Sequence, residues 1–122
     1  MDIKALAATL LLLAVAAVNL IPGIVALLPD RTVALYGIGV DGGSMTLLMR
    51  HRAVLLACVG LGLGAAAFVP SVRPPALAFA AISKLSFLAL YLMTPGLTPE
   101  LQRVAAADLV ALALLAIAAL LG

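Results

Sequence analysis

The chain has 122 residues, 66% of them hydrophobic and 10% charged, with a formal net charge of +2. A soluble domain carries about 25% charged residues to clothe its surface, so this composition excludes a water-exposed globule and points to the lipid bilayer as its solvent. The charge is small, and neither a basic tail nor an aromatic-rich basic stretch is present, which excludes nucleic acid as a partner.

Apolar stretches run over residues 5–28, 45–69, 75–93 and 101–121, each close to or above the ~20 residues a helix needs to cross a hydrocarbon core. Strands are excluded, because an open sheet leaves backbone groups unpaired in lipid and four strands cannot close a barrel. The expected fold is an all-α membrane protein, with four transmembrane helices in an up-down-up-down bundle forming one domain over residues 1–122. The start, MDIKALAATLLLLAVAAVNL, has the charged opening of a secretory signal. Its apolar run nevertheless continues through Ile24–Leu28, longer than a signal core, and reads as an uncleaved first span. Pro22-Gly23 inside it predicts a kink or break near Asn19–Gly23.

The connection at 29–44, PDRTVALYGIGVDGGS, is longer than a bare loop usually is. Its TVALYGI core predicts a short structured cover over one end of the bundle. Ser44, after Asp41-Gly42-Gly43, is the expected cap of span two. Within that span Gly60, Gly62 and Gly64, with Cys58, place small residues four apart on two faces, a pattern that lets membrane helices approach closely. Packing within one chain is the favoured reading, and a homodimer stays open. Cys58 is the only cysteine, which excludes an intrachain disulfide or thiolate cluster; it reads as a small hydrophobe packed inside. Pro74-Pro75 opens span three. Thr98-Pro99-Glu100 supplies a cap, a first-turn proline and an acid at the positive end of span four.

The polar residues inside the spans are lopsided. LLMRHRAV carries Arg50, His51 and Arg52, the two arginines lying ~9–12 Å in from the end that holds the long connection. Asn19, Lys84 and Asp108 lie at ~15–16 Å from the same end, so all four spans contribute to one layer. Tyr91, seven residues after Lys84, falls on the same helical face nearer the opening. The opposite half offers only Asp2, Lys4, Ser71 and Arg73 at its rim. Alternatives exist for several of these. The arginines could snorkel to the headgroups, and they stand about 200° apart, so both cannot face inward. A lone histidine carries little weight, and Asn19 could serve backbone groups freed by Pro22. Asp108 is harder to dismiss, because an acid at a helix centre costs ~2.5–3.5 kcal/mol and must be protonated or paired. Lys84 is its natural partner, since both lie almost equally far from the turn at Gly96-Leu97.

If Asp108 cancels Lys84, the arginines remain as surplus positive charge. LLMRHRAV then forms the cationic mouth of a polar pocket floored by Asn19, Lys84 and Asp108. Such a pocket suits a small anion, a lipid headgroup or a quinone-like carbonyl. There is no Walker loop, GxGxxG or HExxH, and one histidine excludes a multi-histidine metal or haem site; no metal or cofactor is expected. Ser83 and Ser86 flank Lys84 without a second base, so nucleophilic catalysis is not indicated. Three function classes remain: a protein that binds such a ligand, with or without transporting it, a structural or accessory subunit, and a small enzyme acting on a lipid or quinone-like substrate.

The run YGIGVDGGSMTLLMRHRAVLL, followed by the late-span acid of ADLVALALL, resembles a group of small bacterial four-helix membrane proteins, DoxX-like in layout. The resemblance implies the four-helix fold and a place in the bacterial plasma (inner) membrane. Orientation is not fixed by charge: Lys4 and Arg73 on one side balance Arg31 and Arg103 on the other, unless the two deeper arginines are counted.

Overall fold

A computed structural model describes residues 2–39 and 41–122. Helix α1 (Ile3–Leu20) is capped by Asp2, whose Oδ1 accepts from the Ala5 N–H at 2.7 Å. After Leu20 the chain tightens into a 3-10 helix over Ile21–Ala26. Pro22 explains the change, because it has no N–H for the Val18 carbonyl and its ring crowds the preceding turn. The break falls within the expected Asn19–Gly23 window.

The long connection holds a short helix, α2 (Arg31–Tyr36), which is the structured cover expected from TVALYGI. It stops on Gly37, whose φ of 69° is left-handed. A Cβ there would overlap the Glu100 carboxylate and sit 3.2 Å from Thr98 Cβ. Only glycine lets α2 lie so close to the start of the last helix. Thr98 joins the two elements, since its Oγ1 accepts from the Leu101 N–H at 3.3 Å and donates to the Tyr36 carbonyl at 2.6 Å.

Three long helices follow: α3 (Gly42–Phe68), α4 (Arg73–Leu92) and α5 (Pro99–Leu121). The expected cap at Ser44 is displaced. Asp41 occupies the N-cap position without a side-chain capping bond, and Ser44 lies inside the first turn. Arg73, expected only at the rim, donates through Nε to the Ala66 carbonyl at 2.8 Å and through a terminal nitrogen to Ala67 at 3.1 Å. These carbonyls end α3 and have no intrahelical partner, so the guanidinium closes the helix while its own helix begins.

Four helical stretches are long and apolar enough to cross a membrane: Ile3–Ala26, Gly42–Phe68, Pro70–Leu92 and Pro99–Leu121. No strand occurs among the described residues. The chain is therefore an all-α, multi-pass membrane protein whose spans alternate in direction. Helices α3 and α5 each pack on α1 and on α4, so α1 and α4 face each other across the bundle. The apolar core lies in the half near the termini, where Leu12, Val15, Leu63, Ala66, Ala80 and Leu115 meet. Its small residues permit close approach. A Cβ on Gly60 would come within 2.9 Å of Leu20 Cγ and 3.0 Å of the Ala16 carbonyl. Gly62 and Gly64, by contrast, have nothing within 4 Å of an added Cβ. One of the three glycines thus serves packing within the chain. Thr9 adds a polar link, its hydroxyl lying 3.0 Å from the Ala5 carbonyl and 3.1 Å from that of Ala67.

Leu10, Leu61, Phe79, Ile82 and Leu109 are exposed on the outer surface, as a lipid-facing wall requires. Cys58 is exposed too, which corrects its reading as a packed interior hydrophobe. A helix that is apolar all round gives no periodic cue to which side faces the core.

Candidate functional site: a polar layer between two cavities

Lys84 on α4 points into the bundle and is only 3% exposed. Its Nζ lies 3.1 Å from Asp108 Oδ1 on α5 and 3.4 Å from Asn19 Oδ1 on α1. Asn19 is oriented in turn by its amide nitrogen, which donates to the Val15 carbonyl at 3.0 Å. Three helices are tied at one point, ~12–15 Å from the end covered by α2. An ammonium has three donors, and two acceptors from the described residues engage this one.

Helix α3 supplies Arg52. Its guanidinium donates to the Tyr36 hydroxyl and lies over two aromatic rings, 4.9 Å from the Tyr36 centroid and 5.8 Å from that of Phe87. Both distances are in the range where a cation is attracted to the ring face. The Lys84–Asp108 contact is the only salt bridge among the described residues, so Arg52 has no carboxylate partner there. A guanidinium carries five N–H donors, and one of them is used here. With Lys84 offset by Asp108, the layer retains one positive charge at Arg52.

The sequence-derived residues divide into two groups. Asn19, Arg52, Lys84 and Asp108 come together. Arg50 turns outward, donating through Nε to the Ala26 carbonyl at 2.7 Å, and with His51 it borders a shallow groove beside Gly42 and Thr46. One helix cannot aim three consecutive side chains inward, since each is rotated by ~100° from the last. Tyr91 also lies outside the layer. It stacks on Phe87 with centroids 6.3 Å apart and borders a separate groove with Leu97 and Leu101. Tyr36 and Phe87, which hold Arg52, escape a reading confined to charges. Tyr36 carried one signal, as the only aromatic residue in a connection expected to fold over the bundle.

Two cavities meet at this layer. A cleft of about 650 Å³ runs along the α3/α4 seam, with Leu55, Val59, Phe79 and Ile82 among its walls. A second cavity of about 410 Å³ lies beneath α2, bordered by Tyr36, Glu100 and Arg103. Arg52, Leu56, Lys84 and Asp108 line both, so they form a shared wall with donors available on either side. Ser86 Oγ donates to the Ser83 carbonyl at 2.9 Å, which directs that hydroxyl to backbone. Among the described residues, no three His, Cys, Asp or Glu side chains are grouped to hold a metal ion. What the wall offers chemically is hydrogen-bond donation and one unbalanced positive charge in an apolar setting. No protein-family model, curated protein or solved structure matches this chain.

Proposed function

We propose that this is a bacterial plasma-membrane protein that binds a small anionic or amphipathic ligand at the layer formed by Asn19, Arg52, Lys84 and Asp108. The observation that carries the reading is Arg52: a half-buried guanidinium bonded to the Tyr36 hydroxyl, lying over the Tyr36 and Phe87 rings, with no carboxylate partner among the described residues. An unbalanced charge in a span is costly and marks a functional position more often than a structural one. A planar guanidinium with unused donors suits a carboxylate or phosphate, which it can grip through two parallel bonds.

A second reading is favoured by a different observation. The Asn19–Lys84–Asp108 cluster ties α1, α4 and α5, as an internal cross-link in an accessory subunit would. The two separate in one experiment. Thermal unfolding of the purified protein in a zwitterionic detergent is followed while hexanoate, and then inorganic phosphate, is titrated. The ligand-binding reading expects a saturable rise in melting temperature for at least one anion, lost in Arg52→Gln and kept in Arg50→Gln. No saturable rise, or equal rises in wild type and Arg52→Gln, would leave the cross-link reading in its place.

A further inference from the structure

The α3/α4 cleft differs in character from the polar wall at its inner end. Its sides are apolar, and polar groups reach it at Arg52, Ser83, Lys84, Ser86 and Asp108. Along α3 it extends from Arg52 to Gly62, ten residues or ~15 Å of helix. Gly62 has open space where a side chain would stand, with nothing within 4 Å of an added Cβ. Phe79, Ile82, Leu55 and Cys58 on its borders are exposed at the outer surface, where a bilayer would meet them. The cleft is thus an apolar trough with a cationic end, running along the seam of two helices.

Resting on the proposed anion site at Arg52, we propose that the cleft seats a single-tailed amphiphile with one anionic head. The head lies against Arg52 and the free donor of Lys84, and the tail lies along α3 past Val59 and Gly62. Charge complementarity fixes the head: one uncompensated guanidinium favours one negative charge. One tail is the simplest filling of a trough that runs along a single helix seam. Access is lateral, from the bilayer, because the open side of the trough faces lipid. The hydrophobic effect supplies little of the selectivity, since the tail leaves surroundings as apolar as the cleft. Selectivity comes from the head, and position comes from the fit of the tail.

The test uses the full chain in nanodiscs of a zwitterionic phospholipid, with palmitate carrying a mid-chain diazirine as the probe. The expected result is saturable crosslinking confined to residues 55–62 of α3 and 79–87 of α4, competed by unlabelled palmitate and not by hexadecanol. Hexadecyl phosphate and dioleoyl phosphatidylglycerol are further competitors; competition by the alkyl phosphate at least equal to palmitate identifies a phosphate head on the same single tail. Gly62→Leu fills the trough without touching the polar wall and should lower palmitate crosslinking at least ~10-fold, while leaving the Arg52-dependent response to hexanoate unchanged. Crosslinks spread around the outer faces of all four spans would mean annular lipid only, and would overturn the assignment. So would hexadecanol competing as well as palmitate, phosphatidylglycerol competing better than either single-tailed anion, or Gly62→Leu having no effect. If hexanoate still acts through Arg52 in those cases, the anion site stands and only the trough fails. If hexanoate has no effect either, both fall.

Discussion

The ammonium of Lys84 and the carboxylate of Asp108 approach to 3.1 Å from neighbouring antiparallel helices, with Lys84 3% and Asp108 13% exposed. Each would be an isolated charge in an apolar interior without the other. Removing one partner of a buried pair costs about 3–5 kcal/mol, whereas replacing both by apolar groups is often close to neutral. Lys84→Met and Asp108→Leu should therefore each lower thermal stability in detergent strongly. The double variant should recover most of the loss. Additive losses would show that the two charges do not interact.

Arg50 and Arg52 stand two residues apart and do different work. Arg50 is exposed and bonds one backbone carbonyl, a contact that an ammonium can replace. Arg52 depends on a planar group lying over two rings, which lysine reproduces poorly. Arg50→Lys is expected to shift the melting temperature by no more than about 2–3 °C, corresponding to the ~0.5 kcal/mol scale of surface changes. Arg52→Lys should lose any anion response measured in the same titration. Equal tolerance at both positions would return Arg52 to the role of a membrane anchor.

Tyr36 brings the α2 cover into contact with the layer through its hydroxyl and ring together. Tyr36→Phe keeps the ring and deletes the hydroxyl, removing a hydrogen bond to a charged group, an interaction worth about 1.5–3 kcal/mol. A comparable loss is expected for Thr98→Val, which cuts both the link to the Tyr36 carbonyl and the cap on the Leu101 N–H, together about 1–3 kcal/mol. Chemical denaturation in mixed micelles reads both. A Tyr36→Phe variant indistinguishable from wild type would mean that the hydroxyl does not restrain Arg52.

The glycines of α3 should separate by position. Gly60→Ala places a methyl 2.9 Å from Leu20 Cγ and 3.0 Å from the Ala16 carbonyl, an overpacking of the kind that costs about 1–3 kcal/mol. Gly64→Ala meets nothing within 4 Å and should stabilise, by up to the ~1 kcal/mol difference in helix propensity. Melting temperatures of the two variants moving in the same direction would contradict the α1/α3 approach described above.

Much of this architecture was legible in the sequence because lipid imposes simple rules. Four apolar stretches of spanning length could only be helices, and Pro22 had to disturb the first of them. The Lys84–Asp108 pair followed from counting residues back from a short hairpin turn. Other features were hidden for identifiable reasons. The start of α3 at Gly42 was obscured because Ser44 is a better capping residue than the glycines before it, yet Asp41 takes that position. Tyr91 shares a helical face with Lys84 on paper. A seven-residue step, however, drifts by ~20°, and Phe87 and Leu101 give its ring another place to lie. The partners of Arg52 are aromatic residues on two other elements, and contacts of that kind depend on tertiary packing that spacing along one helix does not encode.

The most direct test is native mass spectrometry of the protein extracted from its own membrane in the mildest detergent that keeps it folded, comparing wild type with Arg52→Gln and Arg50→Gln. An anionic ligand held at Arg52 beside the Lys84–Asp108 pair predicts a defined acidic adduct on wild type and on Arg50→Gln, absent from Arg52→Gln. A bare protein mass for wild type, or the same adduct on all three chains, would contradict it.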